Sequence, residues 1–195
     1  MKRWPQINIV SALSVILPKA LNLDSDRLTL QAIDTSDAQF HTDIYSDVKL
    51  MYYINDQIDL AKILDNFKIL IDEINQLNPR YISYVIKHKS DKLGVFGIKL
   101  LGSDELEIGM IIKNEFQLQG WSKMIKQAFI RYAFEVLKIK HIIAYCKHDN
   151  GAANHVNKTL GFKLEEQFIH KSKNHLMNKW VLTYIATNFL LGTLI

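Results

Sequence analysis

Between Glu105 and Cys146 the chain reads as a strand, a junction marked by one glycine, a long amphipathic helix and a second strand. This passage constrains the fold more than any other. "ELEIGMIIK" (Glu105 to Lys113) is apolar with strand character. In the helical pattern after it, Trp121, Met124, Ile125, Ala128, Phe129, Tyr132, Ala133, Val136 and Leu137 form a one-sided stripe. Lys123, Lys126, Gln127, Arg131, Glu135 and Lys138 take the other face. "HIIAYC" (His141 to Cys146) then reads as a buried strand. Two strands joined through one helix are expected to run parallel, through a right-handed crossover.

The rest of the chain supplies the partners. "RLTLQAI" (Arg27 to Ile33) alternates as a strand, and Asp34, Thr35 and Ser36 after it can cap a helix. Tyr45, Val48, Met51 and Tyr52 fall on one face of that helix. A second helix is marked by Leu60, Ile63, Leu64, Phe67, Leu70, Ile71, Ile74 and Leu77, and it stops before "NPR". "YISYVIK" and "LGVFGIKLL" precede "ELEIGMIIK", with "HKSDK" and "GSDE" between the runs, which predicts antiparallel hairpins. "DNGAANHVNKTLGF" reads as a capped short helix ending at Gly161, with further strands around "FKLEEQF" and "KWVLTYIA". This mixture predicts an α+β domain.

A chain of 195 residues, 48% hydrophobic, suits one domain with a full core. The net charge of +4 fits an anionic ligand, and no dense Lys/Arg block marks a nucleic-acid arm. One cysteine, Cys146, excludes an internal disulfide and suits a reducing cytoplasm. It reads as a buried, inert thiol. The histidines are scattered without a ligand pattern, so no metal is expected. Residues 1–25 form an apolar extension that resembles a signal peptide but lacks a small-x-small cleavage site and is too short to span a bilayer. Packing on the domain or on a partner subunit is the alternative use of that segment. A domain over 26–187 and an apolar tail over 188–195 complete the expected organisation. Two apolar ends could cover each other or form a homodimer contact.

A strand, a glycine loop and a helix N-terminus can together cradle an anion with free amides and the helix dipole. Gly120 lets a ligand approach the backbone, and Lys123 and Lys126 add positive charge where a helix start ordinarily prefers acids. A solvated helix start with a turn glycine fits the same local pattern. The spacing matches neither G-x-x-x-x-G-K-[ST] nor G-x-G-x-x-G.

Three signatures in order resemble the GNAT acyl-CoA N-acyltransferases, and within them the branch of ribosomal-protein N-terminal and spermidine acetyltransferases. Gln117-Leu118-Gln119-Gly120-Trp121-Ser122 is similar to the family's Q/R-x-x-G-x-G/A loop, with serine at its last small position. Asn150 and the Gly161-Phe162 pair stand at the family's spacing, although a frequent serine is replaced by Ala153. "ELEIG" matches the Glu-Ile-Gly strand, with Glu107 in the glutamate position. The resemblance covers about Asp26 to Ala186.

It implies a mixed, mostly antiparallel central sheet with helices on both faces and a splayed parallel strand pair at the cofactor site. Acetyl-CoA would be the cosubstrate. Strand amides around Met110, Ile111, Ile112 and Lys113 would pair with its pantetheine arm. Gln117, Leu118, Gln119, Gly120, Trp121, Ser122 and Lys123 would hold the pyrophosphate, and Asn150 would sit near the pantetheine or the thiol end. The amine acceptor would attack the thioester directly, with Glu107 as the base and Glu105 a weaker candidate. A strand N–H, that of Ile111 or Ile112, would hold the oxyanion. Either Tyr145 or His155 would protonate the departing thiolate, or the thiolate would leave without a dedicated acid, since the family's usual tyrosine is missing from the helix where His155 stands. A protein N-terminus, including that of a ribosomal protein, a polyamine and a small molecule remain open as acceptors. A non-catalytic acyl-CoA-binding module and a basic RNA-binding protein are the rival readings.

Overall fold

The computed structural model describes residues 15–23, 28–54, 59–171 and 174–185. Much of the expected N-terminal extension and all of the C-terminal tail lie outside these residues. The elements are β1 (Ala20–Asn22), β2 (Leu28–Ala32), α1 (Ala38–Ser46), α2 (Val48–Met51), α3 (Leu60–Ile74), β3 (Tyr81–His88), β4 (Asp91–Leu100), β5 (Glu105–Ile112), α4 (Trp121–Glu135), β6 (His141–Lys147), α5 (Gly151–Thr159), β7 (Lys163–Ile169) and β8 (Leu176–Thr183). The strands form one sheet in the order β1-β2-β3-β4-β5-β6-β8-β7.

The hairpins β3–β4 and β4–β5 are antiparallel, and β5 pairs with β6 in parallel across α4, as the crossover argument requires. That pairing runs only from Glu105↔His141 to Ile108↔Ala144. Beyond it β5 stays with β4 up to Ile112, while β6 stays with β8 up to Lys147. The two central strands therefore part, and a split opens in the sheet.

Alternation along the strands assigns the two faces. Phe96 of β4 meets Phe129 of α4 with ring centroids 5.0 Å apart, so α4 covers that face. Val95 and Ile111 point to the other face and pack with Ile44 of α1 and Leu50 of α2. Lys19 and Pro18, from the segment expected as an extension, accept or donate bonds inside the fold, and Ala20–Asn22 pairs with β2 as the sheet edge.

Two elements differ from the periodicity. The first helix breaks at Asp47, whose extended backbone (φ −71°, ψ 109°) caps a new turn: its Oδ1 accepts from the amides of Lys49 and Leu50 at 2.8 and 3.0 Å. Val48 and Tyr52, expected on the buried face, are exposed as a result. In α4 the buried residues are Ile125, Lys126, Phe129, Ile130, Ala133 and Phe134. The packed face is rotated by about one residue from the expected stripe, which leaves Met124 and Val136 exposed and turns Lys126 inward.

Candidate active site

A cavity of about 560 Å³ occupies the split between β5 and β6. Its walls come from both faces of the sheet. Glu107, Gly109 and Ile111 of β5 and Tyr145 of β6 stand on the α1–α2 side with Tyr45 and Tyr53. Cys146 of β6, Lys126 of α4 and Asn150, Ala153 and Asn157 of α5 stand on the other. On the first side a carboxylate and phenols converge. Burial pushes the Tyr145 phenol above its ordinary range, with Lys179 pulling it down and Glu107 adding to the rise. Burial, and then the Glu107 charge, likewise raise Tyr81, whose hydroxyl occupies space that a side chain at Gly97 would fill.

The junction between β5 and α4 forms a separate rim. A 3-10 turn, Asn114–Phe116, is tied to the break in the first helix, since Asn114 Nδ2 donates to Asp47 Oδ2 at 2.9 Å. Leu118 (φ 60°) and Gly120 (φ 83°) both take left-handed backbone, and Gly120 is the residue before Trp121 opens α4. Among the described residues the amides of Leu118, Gln119, Gly120, Trp121 and Ser122 have no protein acceptor. This is the arrangement an anion needs. Gly120, Lys123 and Leu118 are exposed. The side chains do something else. Gln117 Nε2 donates to Ile112 O at 2.9 Å, Gln119 Nε2 donates to Glu115 O at 2.7 Å, and Lys113 pairs with Glu115. Trp121 packs its ring against His88 at 4.7 Å and joins the core. The loop thus offers backbone, while its side chains fix its shape.

The structure brings Glu107, Met110, Ile111, Tyr145 and Asn150 to one cavity and sets Ile112, Lys113 and the loop from Gln117 to Lys123 apart from its lining. His155 does not line it: the ring is exposed on the outer side of α5, 3.5 Å from Thr159 Oγ1. Glu105 lies at the paired end of β5, also outside the lining. Asn150 has a structural duty beside any binding one, since its Oδ1 caps α5 by accepting from Ala153 N at 3.0 Å.

Sequence reasoning missed a polar group on the α4–α5 side. Lys126 Nζ donates to Asn157 Oδ1 at 2.8 Å, and these residues are 7% and 1% exposed. Burial pushes the Lys126 ammonium down to about 8, with Cys146 partly offsetting it. Asn154 binds across three elements: its Oδ1 accepts from Asn178 Nδ2 at 2.7 Å, Trp180 Nε1 at 2.9 Å and the Cys146 thiol at 3.1 Å. Cys146 is buried, as expected, and burial raises its thiol above the ordinary range. Ile130 and Phe134, apolar at four-residue steps from Lys126, were the available sign that this lysine faces inward.

Among the described residues no helix is long and apolar enough to cross a membrane, and no group of three His, Cys, Asp or Glu could hold a metal ion. The description "Acetyltransferase (GNAT) domain" belongs to the family that matches residues 27–163. The uncharacterized N-acetyltransferase YnaD of Bacillus subtilis (strain 168) is 22% identical over 149 residues, covering 76% of this chain and 86% of that protein. Spermidine N-acetyltransferase from Vibrio cholerae, solved with CoA and spermine, superposes with a TM-score of 0.68 at 17% identity, covering 80% of this chain and 95% of that one. An acetyltransferase from Salmonella typhimurium that modifies the N-terminal serine of ribosomal protein L7/L12 gives 0.70 at 19% identity, with 85% and 99% covered. The split sheet, its loop of free amides and the family match together make this chain a member of the acetyltransferase (GNAT) domain family, an acyl-CoA-dependent N-acetyltransferase with acetyl-CoA as its cosubstrate.

Proposed function

We propose that the chain acetylates a primary amine by direct attack on acetyl-CoA held in the split between β5 and β6, with Glu107 as base and Tyr145 as acid. The observation that carries this is the placement of Glu107 and Tyr145 on one side of a single cavity. The pyrophosphate would rest on the amides of residues 118–122, and the pantetheine arm would run along the β5 edge that β6 leaves unpaired after Ile108. Glu107 takes a proton from the incoming ammonium. The free amine attacks the thioester carbon, and an amide of the unpaired edge, that of Met110 or Ile112, holds the oxyanion, since the register commits the Ile111 N–H, like that of Lys113, to β4. The C–S bond breaks, Tyr145 gives its proton to the thiolate, and the new amide nitrogen releases its second proton to the Tyr145 phenolate. His155, outside the cavity, has no part in this scheme. The domain that does this would take in β1 (Ala20–Asn22) as well as the expected span 26–187.

The acceptor side carries Glu107, Tyr45, Tyr53 and Tyr81. A carboxylate among phenols and aromatic faces suits an ammonium. The acceptor class is therefore a primary amine, as on a polyamine or a protein N-terminus, a ribosomal one included. The test is steady-state kinetics on an amine and peptide panel with Glu107→Gln. We expect kcat to fall about 100-fold or more while acetyl-CoA affinity, read by calorimetry, is kept. Unchanged kcat in Glu107→Gln would remove the assigned base. Absence of acetyl-CoA binding by the wild-type chain would remove the whole scheme.

A further inference from the structure

Lys126 reaches the cavity from the second turn of α4, on the side of the sheet away from Glu107 and Tyr145. Its Nζ makes one hydrogen bond, to Asn157 Oδ1, and among the described residues no carboxylate lies within ion-pair distance of it. The groups around it are the Asn157 amide and Asn150 from α5, the small Ala153 and Ala144, and the Cys146 thiol from β6. An ammonium has three N–H groups and needs water, an acceptor or a counter-charge for each. Here one neutral amide answers one of them, and the charge itself stays uncompensated in a site of low exposure. Modification at nitrogen would remove that charge while keeping an N–H for Asn157.

We propose that Lys126 is an acylation site: with no amine acceptor bound, its Nζ is acetylated by the acyl-CoA lying in the same cavity. This rests on the acetyl-CoA reading given above. The unprotonated Nζ attacks the thioester carbonyl carbon and a C–N bond forms. The C–S bond breaks, and CoA leaves as a thiolate that takes up the proton released by nitrogen. The products are acetyl-lysine and CoA, and no electrons change hands. Two properties separate Lys126 from surface lysines. It lines the cavity, and burial holds its ammonium at about 8. At pH 7.5 an amine of that kind is about one-quarter neutral, whereas an ordinary lysine near 10.4 is neutral to roughly one part in a thousand.

The experiment incubates the full chain with acetyl-CoA and no acceptor, then reads intact mass and maps peptides. We expect one acetyl group, located on Lys126, with occupancy about tenfold or more above the exposed Lys62 and Lys68. The rate should saturate with acetyl-CoA and fall when CoA is added as a competitor. Lys126→Gln and Lys126→Arg chains should lack the adduct. Calorimetry on the same sample separates the two claims. If acetyl-CoA binds and Lys126 stays unmodified, or is modified no faster than Lys62 and Lys68, this inference is overturned alone. If acetyl-CoA does not bind, the inference and the function it rests on fall together.

Discussion

Asn154 is the side chain on which most of the rear wall depends. Besides the donors it receives from Asn178, Trp180 and Cys146, its Nδ2 donates to the carbonyls of Lys147, His148 and Asn150 at 3.2, 3.0 and 2.8 Å. Asn154→Leu keeps the volume and strands the Trp180 and Asn178 donors, each at a cost of about 1–3 kcal/mol. We expect a loss on the order of 3 kcal/mol in urea unfolding, seen as a lower midpoint at constant slope. A loss under about 1 kcal/mol would mean that these donors find other partners. Gly120 poses a different question. Its φ of 83° disfavours any L side chain, yet a Cβ there would meet no protein atom within 4 Å. A replacement therefore costs strain, about 1–2 kcal/mol, and puts its side chain into the open space over the free amides. Gly120→Val should lower acetyl-CoA affinity more than about tenfold by calorimetry while still folding, and Ser122→Gly should bind nearly as wild type. Normal binding by Gly120→Val would leave the amide cradle without a ligand.

At the scale of elements, Asp47 links two parts that the sequence keeps far apart. One oxygen caps α2, and the other holds Asn114 in the turn before the Gly120 loop. Asp47→Ala should cost about 1–2 kcal/mol of stability, the usual range for a lost cap. It should also weaken acetyl-CoA binding, because the loop loses its anchor; Asn114→Ala should share the second effect with little of the first. Equal affinity in both variants and wild type would show that the loop holds its shape alone. This break also marks where the sequence was legible and where it was not. The three hairpin strands, the parallel crossover and the Gly120 junction follow from short-range patterns, and the structure has them. The split cavity was expected from the resemblance, and Glu107 and Tyr145 line it. The helix break was hidden because Tyr45, Val48, Met51 and Tyr52 keep helical spacing across it. The inward turn of Lys126, and the polar contacts of Asn154 and Asn157, depend on α4, α5, β6 and β8 meeting. Local polarity puts such residues on the surface, and only long-range packing puts them inside.

For the whole molecule, two buried bases shape stability against pH. His41 of α1 is 4% exposed, stacks on Tyr45 with centroids 4.3 Å apart and lies 4.8 Å from Phe67. Its Nδ1 has no hydrogen-bond partner, and burial pushes the imidazolium down to about 4. Between about pH 6.5 and 4 the unfolded chain binds a proton that the folded chain refuses, so stability falls as pH falls through that window. Lys126, held at about 8, acts in the same direction at the other end. From about pH 8 to 10.4 the unfolded chain keeps a proton that the folded chain has released, so stability rises with pH. Each limb is worth about 1–3 kcal/mol after solvent relaxation. One group opposes the alkaline limb from inside its window: burial raises the Cys146 thiol, so the unfolded chain loses a proton there that the folded chain keeps. The remaining groups act largely outside these windows. Ser36 holds Asp34, and Lys113 holds Glu115, below the usual carboxylate range, so their contributions are lost only at more acid pH. The phenols of Tyr45 and Tyr84, raised by burial, reverse the slope above about pH 10. Urea unfolding across pH 4 to 10 should therefore show two rising limbs (approximate bounds, set by the unperturbed values). His41→Phe should flatten the acid limb alone. Lys126→Met should abolish the alkaline rise, leaving the fall that the raised Cys146 thiol causes there, and should raise stability at neutral pH, where the wild-type charge sits uncompensated. An acid limb that survives in His41→Phe would mean that the folded chain already accommodates a charged ring between α1 and α3, and that the loss comes from carboxylates instead.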